Sequence, residues 1–148
     1  MKKVFEKDKL LPEIAGLVQE GYAVTIPVRG NSMLPFLRDG RDAVSLAAID
    51  PETLSAGAVV LARVADGRIV LHRLIRRSGD RLWLQGDGNA GQVEIASIAE
   101  VWAVAVAVIR RGRTYPVDGW VWRVYSWCWL RLGRTRRHVL AVCRKIGL

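Results

Sequence analysis

Residues 58–85 read AVVLARVADGRIVLHRLIRRSGDRLWLQ, and this stretch decides the fold. Its three aliphatic runs are separated by Ala65-Asp66-Gly67 and Ser78-Gly79-Asp80, which are typical turn sequences. In the third run, Leu82 and Leu84 alternate with polar or larger side chains, as expected for a strand with one buried face. The stretch therefore predicts a three-stranded antiparallel meander.

The regions on either side extend this pattern. Short runs rich in β-branched residues over 23–28, 43–47 and 100–110 predict further strands. Apolar residues spaced as on one helix face predict a helix over 7–20 that ends at Gly21: Leu10, Leu11, Ile14, Leu17 and Val18. Residues 119–148 predict two more helices, divided near Gly133. We thus expect a mainly β protein of the α+β class. It has a curved antiparallel domain with an N-terminal helix (1–118) and a basic helical tail (119–148).

Length and composition exclude several classes of protein. The chain has 148 residues, 51% apolar and 25% charged, which suits one domain with its own core rather than a disordered chain. Its longest uncharged runs are about ten residues, whereas a membrane-spanning helix needs about 20, and the N-terminus does not have the pattern of a signal peptide. Cys128 and Cys143 are too few for a disulfide scaffold or a four-ligand zinc site. We predict no metal and no cofactor.

Charge is concentrated in the tail. The net charge is +9, and residues 119–148 contain seven Lys or Arg and no acidic residue. The other 118 residues carry 16 basic and 14 acidic groups. Four of the six Trp also lie in the tail, interleaved with Arg. This composition favours a helix in an anionic membrane interface or on a peptide partner. Plain packing on the β domain is the main alternative, and nucleic acid is the less favoured one.

The most specific motif is PVRGNSMLPFL at residues 27–37. Gly30 allows a sharp backbone turn after a predicted strand, and Pro35 prevents the chain from continuing as a regular element. A serine held at such a turn can present its hydroxyl to a cleft, and its own N–H can stabilise an oxyanion. A Gly-x-Ser turn alone is common in structural roles, so the hypothesis of a nucleophilic Ser32 depends on the rest of the chain.

The longer pattern resembles the nucleophile box of the signal peptidase I superfamily of serine peptidases, to which the self-cleaving SOS repressors also belong. The similarity continues in order through four more segments: 40–44, 54–60, 70–75 and 84–89. It implies Ser32 as nucleophile, His72 as general base, and substrate contacts from Gly30, Met33 and Pro35. His72 stands where many members have lysine, as in the Ser-His branch of the superfamily. An unperturbed imidazole accepts a proton near neutral pH.

A third group would orient the imidazole. We predict Asp87 in the Gly86-Asp87-Gly88-Asn89 turn, with Glu94 and Asp42 as the other candidates. The chain departs from the family at Ala58, where an aspartate is usual, and at the N-terminus, where we predict an amphipathic helix instead of a membrane anchor.

The resemblance implies a serine endopeptidase that cleaves precursor or leader peptides, in the cytoplasm or peripheral to the cytoplasmic membrane. One alternative is a self-cleaving domain, for which Ala15-Gly16 is a candidate scissile dipeptide. The other is a non-catalytic peptide-binding module on a degenerate peptidase fold.

Overall fold

The computed structural model describes residues 7–89 and 91–146, and it forms one sheet with helices before and after it. Within this part of the chain there are eight strands and three α-helices. They are α1 (Lys7–Gln19), β1 (Val24–Pro27), β2 (Ala43–Ala47), β3 (Val59–Arg63), β4 (Ile69–Ser78), β5 (Arg81–Gln85), β6 (Glu94–Ser97), β7 (Val101–Arg110), β8 (Arg113–Pro116), α2 (Trp120–Leu132) and α3 (Arg136–Lys145). Single turns of 3-10 helix cover Ile98–Glu100 and Gly133–Thr135.

All strand pairs are antiparallel, and the sheet curls into a half-barrel in the order β1-β2-β7-β3-β4-β5-β6, with β8 beside β7. The predicted meander is confirmed as β3-β4-β5. The α+β class and the helices at both ends are confirmed as well. β6 and β8 were not predicted from the sequence, because each has only four residues and lacks a hydrophobic run.

The sheet separates two hydrophobic cores. In β3, Val59 and Leu61 pack with α1, β2 and β7, while Val60 and Ala62 pack with β4 and β5. Successive side chains of a strand point to opposite faces, so β3 is buried on both sides.

Helix α2 packs on the domain and is amphipathic. Trp122 belongs to the first core, and its ring centroid lies 5.3 Å from that of Phe36. Trp129 is also buried, whereas Trp120 and Trp127 are exposed. Trp122 and Trp129 thus pack on the β domain, as the main alternative for the tail predicted, whereas Trp120 and Trp127 do not. Arg131 lies on the side of Trp127, with its guanidinium carbon 4.2 Å from the ring centroid. No helix among the described residues is long and apolar enough to cross a membrane.

Candidate active site

Ser32 lies in a tight loop between β1 and β2. Gly30 has a φ of 75°, a conformation that residues with a side chain rarely adopt, and its N–H donates to Asp39 Oδ1 at 3.1 Å. The Val28 N–H donates to the carbonyl of Asp42 at 2.9 Å, which closes the base of the loop. The half-buried Ser32 is thus held at a fixed turn directly after a strand, as the motif predicted.

Asp42 fastens the same loop to the rest of the sheet. Its buried carboxylate accepts bonds from the backbone N–H groups of Arg38 (2.8 Å) and Arg111 (3.0 Å) and from the Arg41 guanidinium (2.8 Å). Burial alone raises the pKa of Asp42, but these hydrogen bonds bring the pKa below its ordinary value. The carboxylate of Asp42 is therefore committed to the loop, and it is not the group that orients His72.

His72 is paired with Glu94. Both side chains are buried, and His72 Nδ1 lies 2.8 Å from Glu94 Oε2. The other carboxylate oxygen of Glu94 accepts from Arg68 Nη2 at 3.3 Å. A carboxylate can only accept from the ring, so the bond assigns the proton of a neutral imidazole to Nδ1 and leaves Nε2 as the acceptor.

Gly86 connects this pair to the serine loop. A Cβ at Gly86 would overlap the Ser32 carbonyl oxygen and would lie 3.1 Å from His72 Nε2. The next glycine, Gly88, donates its N–H to the same Ser32 carbonyl at 2.7 Å. Only a residue without a side chain allows this close approach. The glycines thus bring the backbone of the serine turn close to Nε2 of the imidazole.

Asp87 belongs to a different cluster, so the prediction that it orients His72 is wrong. Its two carboxylate oxygens accept from Arg73 Nε and Nη2, both at 2.7 Å, and Oδ2 also accepts from the Tyr125 hydroxyl at 2.8 Å. Its backbone carbonyl accepts from Trp129 Nε1 at 3.1 Å. The carboxylate that is bonded to His72 is that of Glu94, one of the two alternatives.

Arg73 and Asp87 are fully buried, and Tyr125 beside them is partly buried. Burial lowers the pKa of Arg73, but the bonds and the charge of Asp87 bring that pKa above its ordinary value. Burial, followed by the charge of Asp87, raises the pKa of Tyr125 well above its ordinary value. Arg73 also donates from Nη1 to the Gly57 carbonyl (3.0 Å) and to Ser126 Oγ (2.7 Å). These contacts tie α2 to the loop that contains Gly86.

Met33, one of the three residues predicted to contact substrate, does not line the candidate site. Its side chain is buried in the first core, so a role in substrate contact is incompatible with its position. Gly30 is exposed, and Pro35 is half-buried in the same loop.

Arg73, Tyr125 and Trp129 were not predicted to lie beside the site. The one available signal was an arginine between apolar residues of a strand, because a charged residue in a buried strand requires a partner.

Comparisons with family models, with curated proteins and with solved structures give no match to the chain. The likeness to signal peptidases therefore rests on the ordered motifs quoted above. Among the described residues, no three or more His, Cys, Asp or Glu side chains are grouped so that they could hold a metal ion.

Proposed function

We propose that the protein is a serine endopeptidase in which Ser32 is the nucleophile, His72 the general base and Glu94 the residue that orients it. The observation that carries the proposal is the buried pair of His72 and Glu94, whose free ring nitrogen Nε2 faces Gly86 beside the serine loop. A serine nucleophile is activated by an adjacent base, and a carboxylate bonded to the far side of an imidazole base orients it and stabilises its protonated form.

The proposed reaction follows from the roles of these groups. Ser32 Oγ attacks the scissile carbonyl carbon while its proton passes to His72 Nε2, and the Ser32 N–H stabilises the oxyanion. The C–N bond then breaks as the imidazolium returns that proton to the leaving amine. Water then attacks the acyl-enzyme, and His72 accepts a proton from that water. The ester bond to Ser32 breaks, His72 returns the proton to Ser32 Oγ, and the carboxylic acid product leaves. Glu94 stabilises the imidazolium in both halves of the reaction.

The proposed substrate is an extended precursor peptide. Among the described residues, β1 is an edge strand that pairs only with β2, and it leads directly into the Ser32 loop. An extended peptide can add to such an edge through its backbone and thereby bring its scissile bond to the serine. The motif resemblance implies small side chains on the acyl side of that bond.

Self-cleavage is less well supported, because the candidate dipeptide Ala15-Gly16 lies inside α1 and not in an extended segment. Intact-mass measurement of the full chain after incubation tests this alternative: a stable mass excludes it.

The main test is covalent labelling of the full-length protein with a fluorophosphonate. We expect wild type and Ser55→Ala, which changes an exposed serine outside the site, to be labelled at Ser32. Ser32→Ala should not be labelled, and His72→Ala should be labelled at least ~100-fold more slowly because the hydroxyl lacks its base. A folded wild-type protein that remains unlabelled, or equal labelling of Ser32→Ala, would contradict the proposal and favour the peptide-binding module.

A further inference from the structure

The two faces of α2 have different properties. The inner face is formed by Trp122, Ser126 and Trp129, which are buried against the domain. On the outer face, Trp120 is 78% exposed and Trp127 is 58% exposed, with Val124 (54%) between them. Positions separated by three and four residues lie on one side of a helix, so these three side chains form a single apolar stripe that no described part of the chain covers.

Cationic side chains accompany this stripe. Arg123 is exposed on α2, and Arg131 stacks on Trp127 with 4.2 Å between its guanidinium carbon and the ring centroid. The same combination occurs at α3, where Val142 and the residue directly after the helix, Ile146, are exposed. Its exposed basic residues are Arg137, Arg144 and Lys145. No acidic residue occurs in 119–148.

We propose that the outer surface of α2 and α3, defined by these residues, binds an anionic lipid bilayer at its interface. Indole rings favour the headgroup level of a membrane, and Lys and Arg are attracted to anionic lipids. The aliphatic side chains favour lipid over nucleic acid, because Val124, Val142 and Ile146 cannot stack on bases as aromatic rings do. The occupant that fits both the apolar stripe and the unbalanced positive charge is therefore an anionic lipid surface.

Membrane binding in this orientation would bring the candidate site close to the bilayer. Tyr125 and Trp129 on the inner face of α2 bond to Asp87, the residue that follows Gly86. A helix with its side chains is about 10–12 Å across, so the loop at Gly86 would lie roughly that far from the lipid surface. The proposal itself does not depend on peptidase activity.

Flotation of the full-length protein with vesicles tests the proposal. We expect binding to vesicles of phosphatidylglycerol and phosphatidylcholine, weaker binding to phosphatidylcholine alone, and release as salt is raised. The double variant Trp120→Ser/Trp127→Ser should bind at least ~10-fold more weakly because it lacks the interfacial indoles. Tyr22→Ser is the matched control, since Tyr22 is an aromatic residue of similar exposure (60%) outside the helices.

A second pair of variants tests the charge. Arg123→Gln/Arg131→Gln should lose at least ~10-fold in binding to anionic vesicles. Arg63→Gln/Arg113→Gln, which removes the same charge from exposed positions on strands, should not. Three outcomes would overturn the proposal: equal effects of the helix and control variants, binding to single-stranded oligonucleotide in preference to anionic vesicles, or indole-dependent self-association without lipid binding.

Discussion

His72 and Arg73 are consecutive residues of β4, and each forms a buried pair with a carboxylate, but the two pairs differ in what they leave unused. His72 uses one ring nitrogen for Glu94 and turns the other toward Gly86 and the serine loop. Arg73 donates from all three guanidinium nitrogens, to Asp87, Gly57 and Ser126. The first pair keeps an acceptor available for chemistry, whereas the second has none and serves to fasten α2 to the sheet.

The contrast explains why Asp87, and not Glu94, was predicted to orient His72. Adjacent residues of a strand project to opposite faces, so His72 and Arg73 meet different carboxylates. Asp87 is part of the motif box and stood out for that reason, yet it lies on the Arg73 side. The four predictions that follow test whether the two pairs have the separate roles that this geometry gives them.

The largest effect is expected from Glu94→Gln, measured as the rate of fluorophosphonate labelling or of peptide cleavage. The amide lacks the charge that stabilises the imidazolium and can present its NH₂ group to Nδ1. We therefore expect a loss of ~10²–10⁴-fold in rate with a folded protein by circular dichroism. Glu100→Gln, which changes an exposed glutamate just after β6, is the control and should leave the rate unchanged. An unchanged rate in Glu94→Gln would remove Glu94 from the proposed site.

The Arg73–Asp87 pair should affect the free energy of unfolding more than the His72–Glu94 pair does. Arg73→Ala leaves the Asp87 carboxylate buried without its partner, so urea unfolding should show a loss of about 3–5 kcal/mol in the free energy of unfolding. The double variant Arg73→Met/Asp87→Asn removes both charges and should lose less than Arg73→Ala. A loss of less than about 1 kcal/mol in the free energy of unfolding of Arg73→Ala would show that the Arg73–Asp87 pair contributes little to holding α2.

Tyr125 provides a pH test of the same cluster. Its pKa is raised in the folded protein, by burial and then by the charge of Asp87, so above about pH 10 the folded state binds more protons than the unfolded state. The stabilisation from this phenol is complete below that pH and is lost as pH rises toward its folded pKa.

Tyr125→Phe should therefore cost about 1.5–3 kcal/mol at pH 8, the value of a hydrogen bond to a charged group. The difference from wild type should shrink as pH rises above 10. Urea midpoints at pH 8 and pH 11 measure both quantities, and the other tyrosines cancel because they are present in both proteins. A difference that grows with pH would contradict the raised pKa.

The sequence was sufficient for most of the sheet and for part of the site. Hydrophobic runs bounded by turn residues are local signals, and they located β1–β5 and β7 to within about two residues at most ends. The serine turn and His72 were found through ordered motifs. Glu94 could not be chosen over Asp87, because Glu94 lies in β6, which has no hydrophobic run to predict it, and reaches His72 through the pairing of β6 with β5. Arg73 and Tyr125 are separated by some fifty residues, so their contact through Asp87 is set by tertiary packing alone.

The smallest expected effect is a difference in stability between variants on the two faces of α2. Trp129→Phe keeps most of the buried ring but removes the N–H that donates to the Asp87 carbonyl at 3.1 Å. That carbonyl is then left without this donor, so we expect a loss of about 1–2 kcal/mol in the free energy of unfolding. Trp127→Phe makes the same chemical change on the exposed face, where water replaces any lost bond, and should cost less than about 0.5 kcal/mol. Urea unfolding of the two variants side by side measures the difference. Equal losses in the two variants would mean that the inner face of α2 is not bonded to the loop beside Gly86. The Arg73–Asp87 cluster would then not fasten the helix, and its contrast with the His72–Glu94 pair would lose its basis.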